Sequence, residues 1–457
     1  MLSFSLTPLW TDYMIWGLVI ALMAWGRIIS RSLQVKQQWL QIFESKLAMI
    51  SAIILLFYLA IALLDSIHFK TNSKAPTAIM ETQSVLDAFF PHLAYQQERT
   101  YSAPFATTEY NKSLNINELG EVQQVYLPLK YVDIAQTTSI TQASLNAFLT
   151  GLIVSLFLIS LHALWRSRVH QISFGAFVLK VIRNQTLLPW RTAYITLTTI
   201  VLFLSWLYFL SFSYHVFGTD KVGGDVLYES LKSIRTGVLI GVLTTLVMLP
   251  LSITLGISAG LFRGWVDDVI QYIYTTLNSI PGVLLIAAAV LVMQVIMGNH
   301  PDWFTSTEER ADVRLLFLIF ILGMTSWTGL CRLLRAETLK ISQVEYVTAS
   351  KAFGVSRFKI IGRHIMPNVM HIVLISVVLD FSGLVLAEAV LSYVGVGVDP
   401  TMHSWGNMIN QARLEMAREP MVWWSLFSAF FFMFILVLAA NLFSDRVQTI
   451  LDPRNNR

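Results

Sequence analysis

The chemically capable side chains of this 457-residue sequence are few, and their spacing excludes most catalysis. The nine histidines form no H-E-x-x-H pair and no cluster at metal-ligand spacing. The single cysteine, Cys331, has no partner for a disulfide or a thiolate metal site, and its apolar surroundings make it a small buried hydrophobe. No Gly-Lys dipeptide occurs, so no phosphate-cradling loop can be built and the chain is not itself an ATP-hydrolysing enzyme. Two carboxylates, Asp380 and Glu388, lie in one long apolar run. At bilayer depth a charge costs roughly 2.5–3.5 kcal/mol, so each must face protein or water. They read as structural partners of a neighbouring helix or as polar groups on a path.

The most heavily punctuated stretch runs from Ser342 to Pro367. Ser342 and Glu345 have the spacing of a capping box and predict a helix starting there. Gly354 suits a left-handed helix end, Ser356 the cap of a second helix, and Pro367 an interruption. Tyr346, Ala349 and Phe353 share one face, with small Ser350 and Ala352 beside them, which makes a compact knob for a groove on another protein. The second helix is basic, carrying Arg357, Lys359 and Arg363.

Elements that position these residues must be membrane helices. The composition is 55% hydrophobic and 13% charged, with a mean hydropathy of +0.61. Nine apolar runs are long enough to span a bilayer, at 13–29, 47–65, 146–165, 191–213, 236–262, 275–298, 314–333, 368–391 and 422–443. Most of the 32 Lys and Arg residues fall on one side, which places the N-terminus and the segment 66–145 outside and the C-terminus in the cytoplasm. The first run lacks the basic start and cleavage site of a signal peptide and is expected to remain in the chain. The net charge of +4 follows from cytoplasmic loops and points to no nucleic acid. The segment 66–145 reads as a small domain cored by Phe89, Phe90, Leu93, Tyr95, Val125, Tyr126, Leu127 and Tyr131, or as a loop lying on the membrane. A basic stretch at 166–190, with Phe174, Phe177, Val178 and Val181 at near-helical spacing, reads as an amphipathic surface helix.

Three further motifs lie in the C-terminal part. Phe217 to Leu227 reads F-G-T-D-K-V-G-G-D-V-L, a glycine turn carrying Gly218, Thr219, Asp220, Gly223 and Asp225. Ile280-Pro281-Gly282 bends or breaks an apolar run. Ala387 to Gly406 contains Gly395, Gly397, Pro400, Ser404, Trp405 and Gly406, and Asp452-Pro453-Arg454 lies near the end.

Together these motifs resemble the C-type permease subunits of bacterial dipeptide and oligopeptide ATP-binding-cassette importers. Thr348, Ala349, Ser350 and Gly354 stand where that family has E-A-A and glycine in its cytoplasmic coupling loop; E-Y-V at 345–347 and R-H-I-M-P-N at 363–368 match its peptide branch. Gly218, Asp220, Gly223 and Asp225 match the external turn, with Gly224 in place of an arginine, and Asp452 to Arg454 match the ending. The resemblance covers residues 191–457. It implies an all-α polytopic protein of the type I importer class, a six-helix permease domain at 191–457, preceded by an extension at 1–190 with three more helices. It also implies a second, B-type permease subunit, two cytoplasmic ATPase subunits holding the ATP and magnesium, an external solute-binding protein, and a home in the bacterial inner membrane. No cofactor is expected in this chain. An ion-coupled secondary transporter would require charges and broken helices repeated in two halves. A non-transporting scaffold would leave the 342–367 loop unexplained.

Overall fold

The computed structural model describes residues 4–29, 33–71, 82–116, 122–132, 139–169, 171–304 and 306–451. Asp452 to Arg454 therefore lie outside the described residues. In hydrocarbon a lone segment satisfies its own backbone only as a helix, and the chain is an all-α, multi-pass protein. Among the described residues, eight helices are long and apolar enough to cross a membrane, and Trp10–Ala24 is a shorter apolar helical stretch.

In chain order the helices are α1 (Trp10–Ile29), α2 (Leu33–Glu44), α3 (Lys46–Asp65), α4 (Val85–Phe89), α5 (Pro91–Tyr95), α6 (Ile140–Val169), α7 (Phe174–Ile182), α8 (Trp190–Leu210), α9 (Val226–Phe262), α10 (Trp265–Ser279), α11 (Gly282–Asn299), α12 (Thr307–Ile341), α13 (Glu345–Ala352), α14 (Arg357–Ile360), α15 (Met366–Tyr393), α16 (Trp405–Glu415) and α17 (Trp424–Leu451). Short strands β1 (Phe4–Leu6), β2 (His68–Thr71) and β3 (Thr82–Ser84) form an antiparallel sheet with β2 central, and β4 (Ser113–Ile116) pairs with β5 (Val122–Val125).

Contacts group the chain into two compact units, which do not follow a cut at residue 190. The first comprises Met1–Thr7, Ile28–Arg235 and His403–Leu442. In it α6 turns small residues, Ala143, Ala147, Gly151, Ser155, Ala163 and Ser167, to the inside. Small side chains let helix backbones approach: a Cβ on Gly151 would lie 3.0 Å from the Ser205 Cβ of α8, and the Ser205 hydroxyl donates to the Ala147 carbonyl at 2.7 Å. The amphipathic helix expected in 166–190 is α7, whose Phe177 and Val181 pack with Ala163. The segment after α3 is built around buried Leu86, Leu93, Tyr101, Leu129 and Val132, while Phe89, Tyr95, Tyr126 and Tyr131 are exposed. Of the aromatic and aliphatic core expected for 66–145, Leu93 is buried and Phe90, Val125 and Leu127 are half-buried. Backbone bonds tie 98–102 of this segment to the turn at 218–224.

The second unit comprises Pro8–Arg27, Thr236–Met402 and Phe443–Arg457. Its core joins α9, α12 and α15 through Met248, Ile257, Trp327, Leu330, Cys331, Leu334, Val369 and Val373. Gly256 and Gly260 give α9 a G-x-x-x-G face: a Cβ on Gly256 would stand 2.8 Å from the Cys331 carbonyl oxygen, and one on Gly260 2.6 Å from the Thr338 Cβ. Cys331 is fully buried, as its surroundings required.

Two boundaries differ from expectation. The run 275–298 is divided: α10 ends at Ser279, Ile280 is extended, and α11 starts after Pro281. Pro281 thus separates an amphipathic helix from a spanning one. Pro367 does not interrupt its run. The backbone widens into a π-helical turn over Ile361–Ile365, and the helix continues into α15 with the proline in its first turn. The wider turn relieves the clash between the proline ring and the preceding turn.

Candidate functional site

Three of the sequence motifs are built structures. The hairpin α13–α14 begins where α12 stops. Ser342 has helical backbone angles, φ −63° and ψ −14°, and its hydroxyl donates to the Leu339 carbonyl at 2.8 Å while accepting from Arg263 at 3.2 Å. It closes α12, and α13 begins after extended Val344 with no side-chain cap. The capping box expected between Ser342 and Glu345 is therefore not formed. Such a box needs an extended serine, and two helices joined this closely hold Ser342 in the last turn of the first.

Buried Val347 anchors α13 in the core. Around it Ala349 is exposed, and Tyr346 and Phe353 are 45% and 87% exposed. These apolar side chains stand outward from a fixed base. The Tyr346 hydroxyl accepts from Asn368 at 3.0 Å, and its ring lies 5.7 Å from that of His364. Gly354 ends the helix at φ +73°; its N–H donates to the Lys351 carbonyl and that of Val355 to the Ser350 carbonyl, a Schellman closure. Ser356 occupies the cap position of α14 without a side-chain bond. Arg357 lies 5.2 Å from the Phe262 ring. Lys351 donates to the Ser342 carbonyl at 3.3 Å, and partial burial, with the charges of Arg263 and Arg357, lowers its ammonium below the usual range. The exposed knob thus has a crowded cationic rim. Glu345 and Pro367 are exposed.

The glycine turn at 217–227 is held by the segment 98–102. Thr219 accepts from the Ser102 N–H at 2.6 Å and donates to the Thr100 carbonyl at 2.9 Å. The Glu98 N–H donates to the Gly223 carbonyl at 3.0 Å. Gly218 (φ +70°) and Gly223 (φ +80°) are required twice over, because a Cβ would stand 2.4 Å from the Ser102 oxygen and 1.9 Å from the Glu98 oxygen. Asp220 accepts from the N–H groups of Val222 and Gly224, and Asp225 caps α9 by accepting from Leu227 and Tyr228. His215 lies between two carboxylates, 2.7 Å from Asp225 and 3.7 Å from Glu98. Burial opposes its charge, but the Asp225 hydrogen bond and the pull of Glu98 win and raise its pKa to about 9. Glu98, which also accepts from the N–H groups of Lys130 and Tyr131, is held below the usual carboxylate range; those bonds and His215 overcome its burial.

The third motif closes α15 and opens α16. Gly395 (φ +85°) forms a second Schellman closure through Leu391 and Ser392, and Gly397 packs where a Cβ would fall 2.0 Å from the Ser392 hydroxyl. The Ser404 hydroxyl caps α16 by accepting from the Asn407 N–H. Trp405 is buried, its indole N–H donating to the Ser230 carbonyl at 3.1 Å, and Gly406 is buried beside it.

Of the intramembrane carboxylates, Glu388 is buried and accepts from Ser392 at 2.7 Å, a structural setting. Asp380 is half-buried on α15. Pro281 is exposed at the break before α11.

Several organising residues were not singled out from the sequence. The capping box joining Ser84 and Asp87, and the Gly256–Gly260 face, carry local signals that could have found them. Glu98 and His215 have none, because they meet Asp225 of the glycine turn only through the fold.

The family described as "Binding-protein-dependent transport system inner membrane component" matches residues 252–457. The dipeptide transport system permease protein DppC of Bacillus subtilis is 31% identical over 243 residues, covering 53% of this chain and 70% of that protein. The glutathione transport system permease protein GsiD of Pectobacterium atrosepticum is 30% identical over 242 residues (53% and 73%), and the oligopeptide transport system permease protein OppC of Haemophilus influenzae is 30% identical over 243 residues (53% and 71%).

Proposed function

The chain belongs to the family of binding-protein-dependent transport system inner membrane components, as a permease subunit of an ATP-binding-cassette importer, and from that premise we propose that it forms half of a translocation path for peptides or related small solutes. The N-terminus lies outside and the C-terminus in the cytoplasm. Residues 191–457 are the permease domain, which pairs with a second, B-type permease. Residues 1–190 are an accessory extension whose segment 66–145 lies outside, beside the turn that meets an external solute-binding protein. Two cytoplasmic ATPase subunits, carrying ATP and magnesium, dock on α13.

The observation that carries this reading is the α13 knob: Tyr346, Ala349 and Phe353 stand exposed while Val347 anchors the same helix in the core. An apolar knob with a cationic rim suits a groove on another protein, and movement of that groove would reach α12 and α15 through Val347. Closure of the ATPases then shifts the path between its two faces by contacting α13 differently in each state. Pro281 and Asp380 are proposed to face the path.

The test is purification of the chain with its native partners. ATPase subunits should accompany the unaltered chain, and Gly354→Val should uncouple uptake from ATP hydrolysis while the chain still inserts. Normal uptake by Gly354→Val at normal expression would remove the docking role.

A further inference from the structure

Asp380 stands apart from the other charges of the membrane-spanning helices. It is 15th among the 28 residues of α15, which puts it about 21 Å along that helix. Among the described residues it is the one Asp, Glu, Lys or Arg near the middle of any span; the others sit toward helix ends. No hydrogen bond or ion pair within the described chain reaches its carboxylate, whereas Glu388 on the same helix is buried and bonded to Ser392. One flank of α15 is packed, with the Phe381 ring against Gly241 of α9. The other is open: Leu379, Gly383, Leu386 and Val390 recur at helical spacing and are exposed. Asp380 lies at the edge of that open face, beside Gly383, where a Cβ would meet nothing within 4 Å.

A carboxylate at this depth is not left facing lipid. It needs water or a cation, and the space beside Gly383 gives one access. Dipeptides, oligopeptides and glutathione, the solutes named for the related permeases, differ in size and side chains but share a protonated amine. We propose that Asp380 lines the translocation path and accepts the ammonium group of the passing peptide. This inference rests on the peptide-import reading.

The experiment uses the whole transporter, with its partner permease, ATPases and binding protein, in proteoliposomes. Asp380→Asn should lower uptake of an unmodified dipeptide roughly tenfold or more, the weight of a charge-assisted hydrogen bond, while Asp380→Glu keeps most of it. In a Cys331→Ser background, Asp380→Cys should react with a water-soluble methanethiosulfonate, and the dipeptide should slow the reaction. Unchanged uptake by Asp380→Asn would overturn the proposal. So would absence of labelling in an intact complex, or loss of the partner permease from the Asp380→Asn complex, which would make Asp380 a subunit-interface residue. If the unaltered transporter carries no peptide, the proposed function itself fails and this inference with it.

Discussion

Two glycines with nearly the same backbone angle should respond very differently to one added methyl group. Gly354 (φ +73°) ends α13 with open space where a Cβ would stand, so Gly354→Ala meets only the left-handed backbone cost, about 1 kcal/mol. Gly223 (φ +80°) carries the same cost, but its Cβ would lie 1.9 Å from the Glu98 carbonyl oxygen and 2.4 Å from the Glu98 carbonyl carbon. Those atoms are backbone and cannot rotate away. The segment 98–102 would have to withdraw by ~1.5 Å to reach ordinary contact, which breaks the 3.0 Å bond from the Glu98 N–H to the Gly223 carbonyl. Adding ~1 kcal/mol for that bond and at least ~1 kcal/mol for the displacement gives about 3 kcal/mol. Thermal unfolding of each purified variant ranks them, and limited proteolysis between residues 82 and 132 locates the effect. Gly223→Ala should melt lower and be cut faster there, with Gly354→Ala close to the unaltered chain in both. Equal melting temperatures for the two variants would refute the argument from close approach.

The His215 pKa of about 9 lies above its ordinary ~6.5, so the charged cluster with Glu98 and Asp225 contributes its full stability below ~6.5 and loses it as pH rises through about 9; the 82–132 region should become protease-sensitive between pH 8 and 10, and His215→Gln should remove that dependence. Gly260→Leu should disrupt the α9–α12 contact at about 1–3 kcal/mol, seen as reduced thermal stability, since a Cβ there meets Thr338 at 2.6 Å and the Arg335 carbonyl oxygen at 2.9 Å. Arg335 donates to both carboxylate oxygens of Asp267, at 2.6 and 2.7 Å; Arg335→Lys loses the fork, and the bridge is partly exposed, so a fall of no more than ~1 kcal/mol is expected in unfolding experiments. In a Cys331→Ser background, Lys112→Cys should react with an impermeant thiol reagent only from outside; labelling from the cytoplasm would reverse the proposed topology.

How much was legible in the sequence depends on how far apart the deciding residues are. Spanning helices were readable because a bilayer requires long apolar runs and a helix satisfies each run by itself. The turns at Gly218, Gly223 and Gly354 were readable because a left-handed backbone selects glycine locally, and helical spacing puts Tyr346, Ala349 and Phe353 on one face, which the fold then leaves exposed. Tertiary structure decided the rest. Ser342 had the right spacing for a cap, yet its neighbours hold it in the previous helix, and Pro367 lies within a continuous helix because a π turn absorbs it. Asp380 and Glu388 look alike in sequence, but one is bonded to Ser392 and the other has no partner in the described chain. Glu98 and His215 carry no local pattern at all. A hydrogen bond between distant segments depends on where the fold brings two backbones, and that is set by the sum of packing over both rather than by the composition of either.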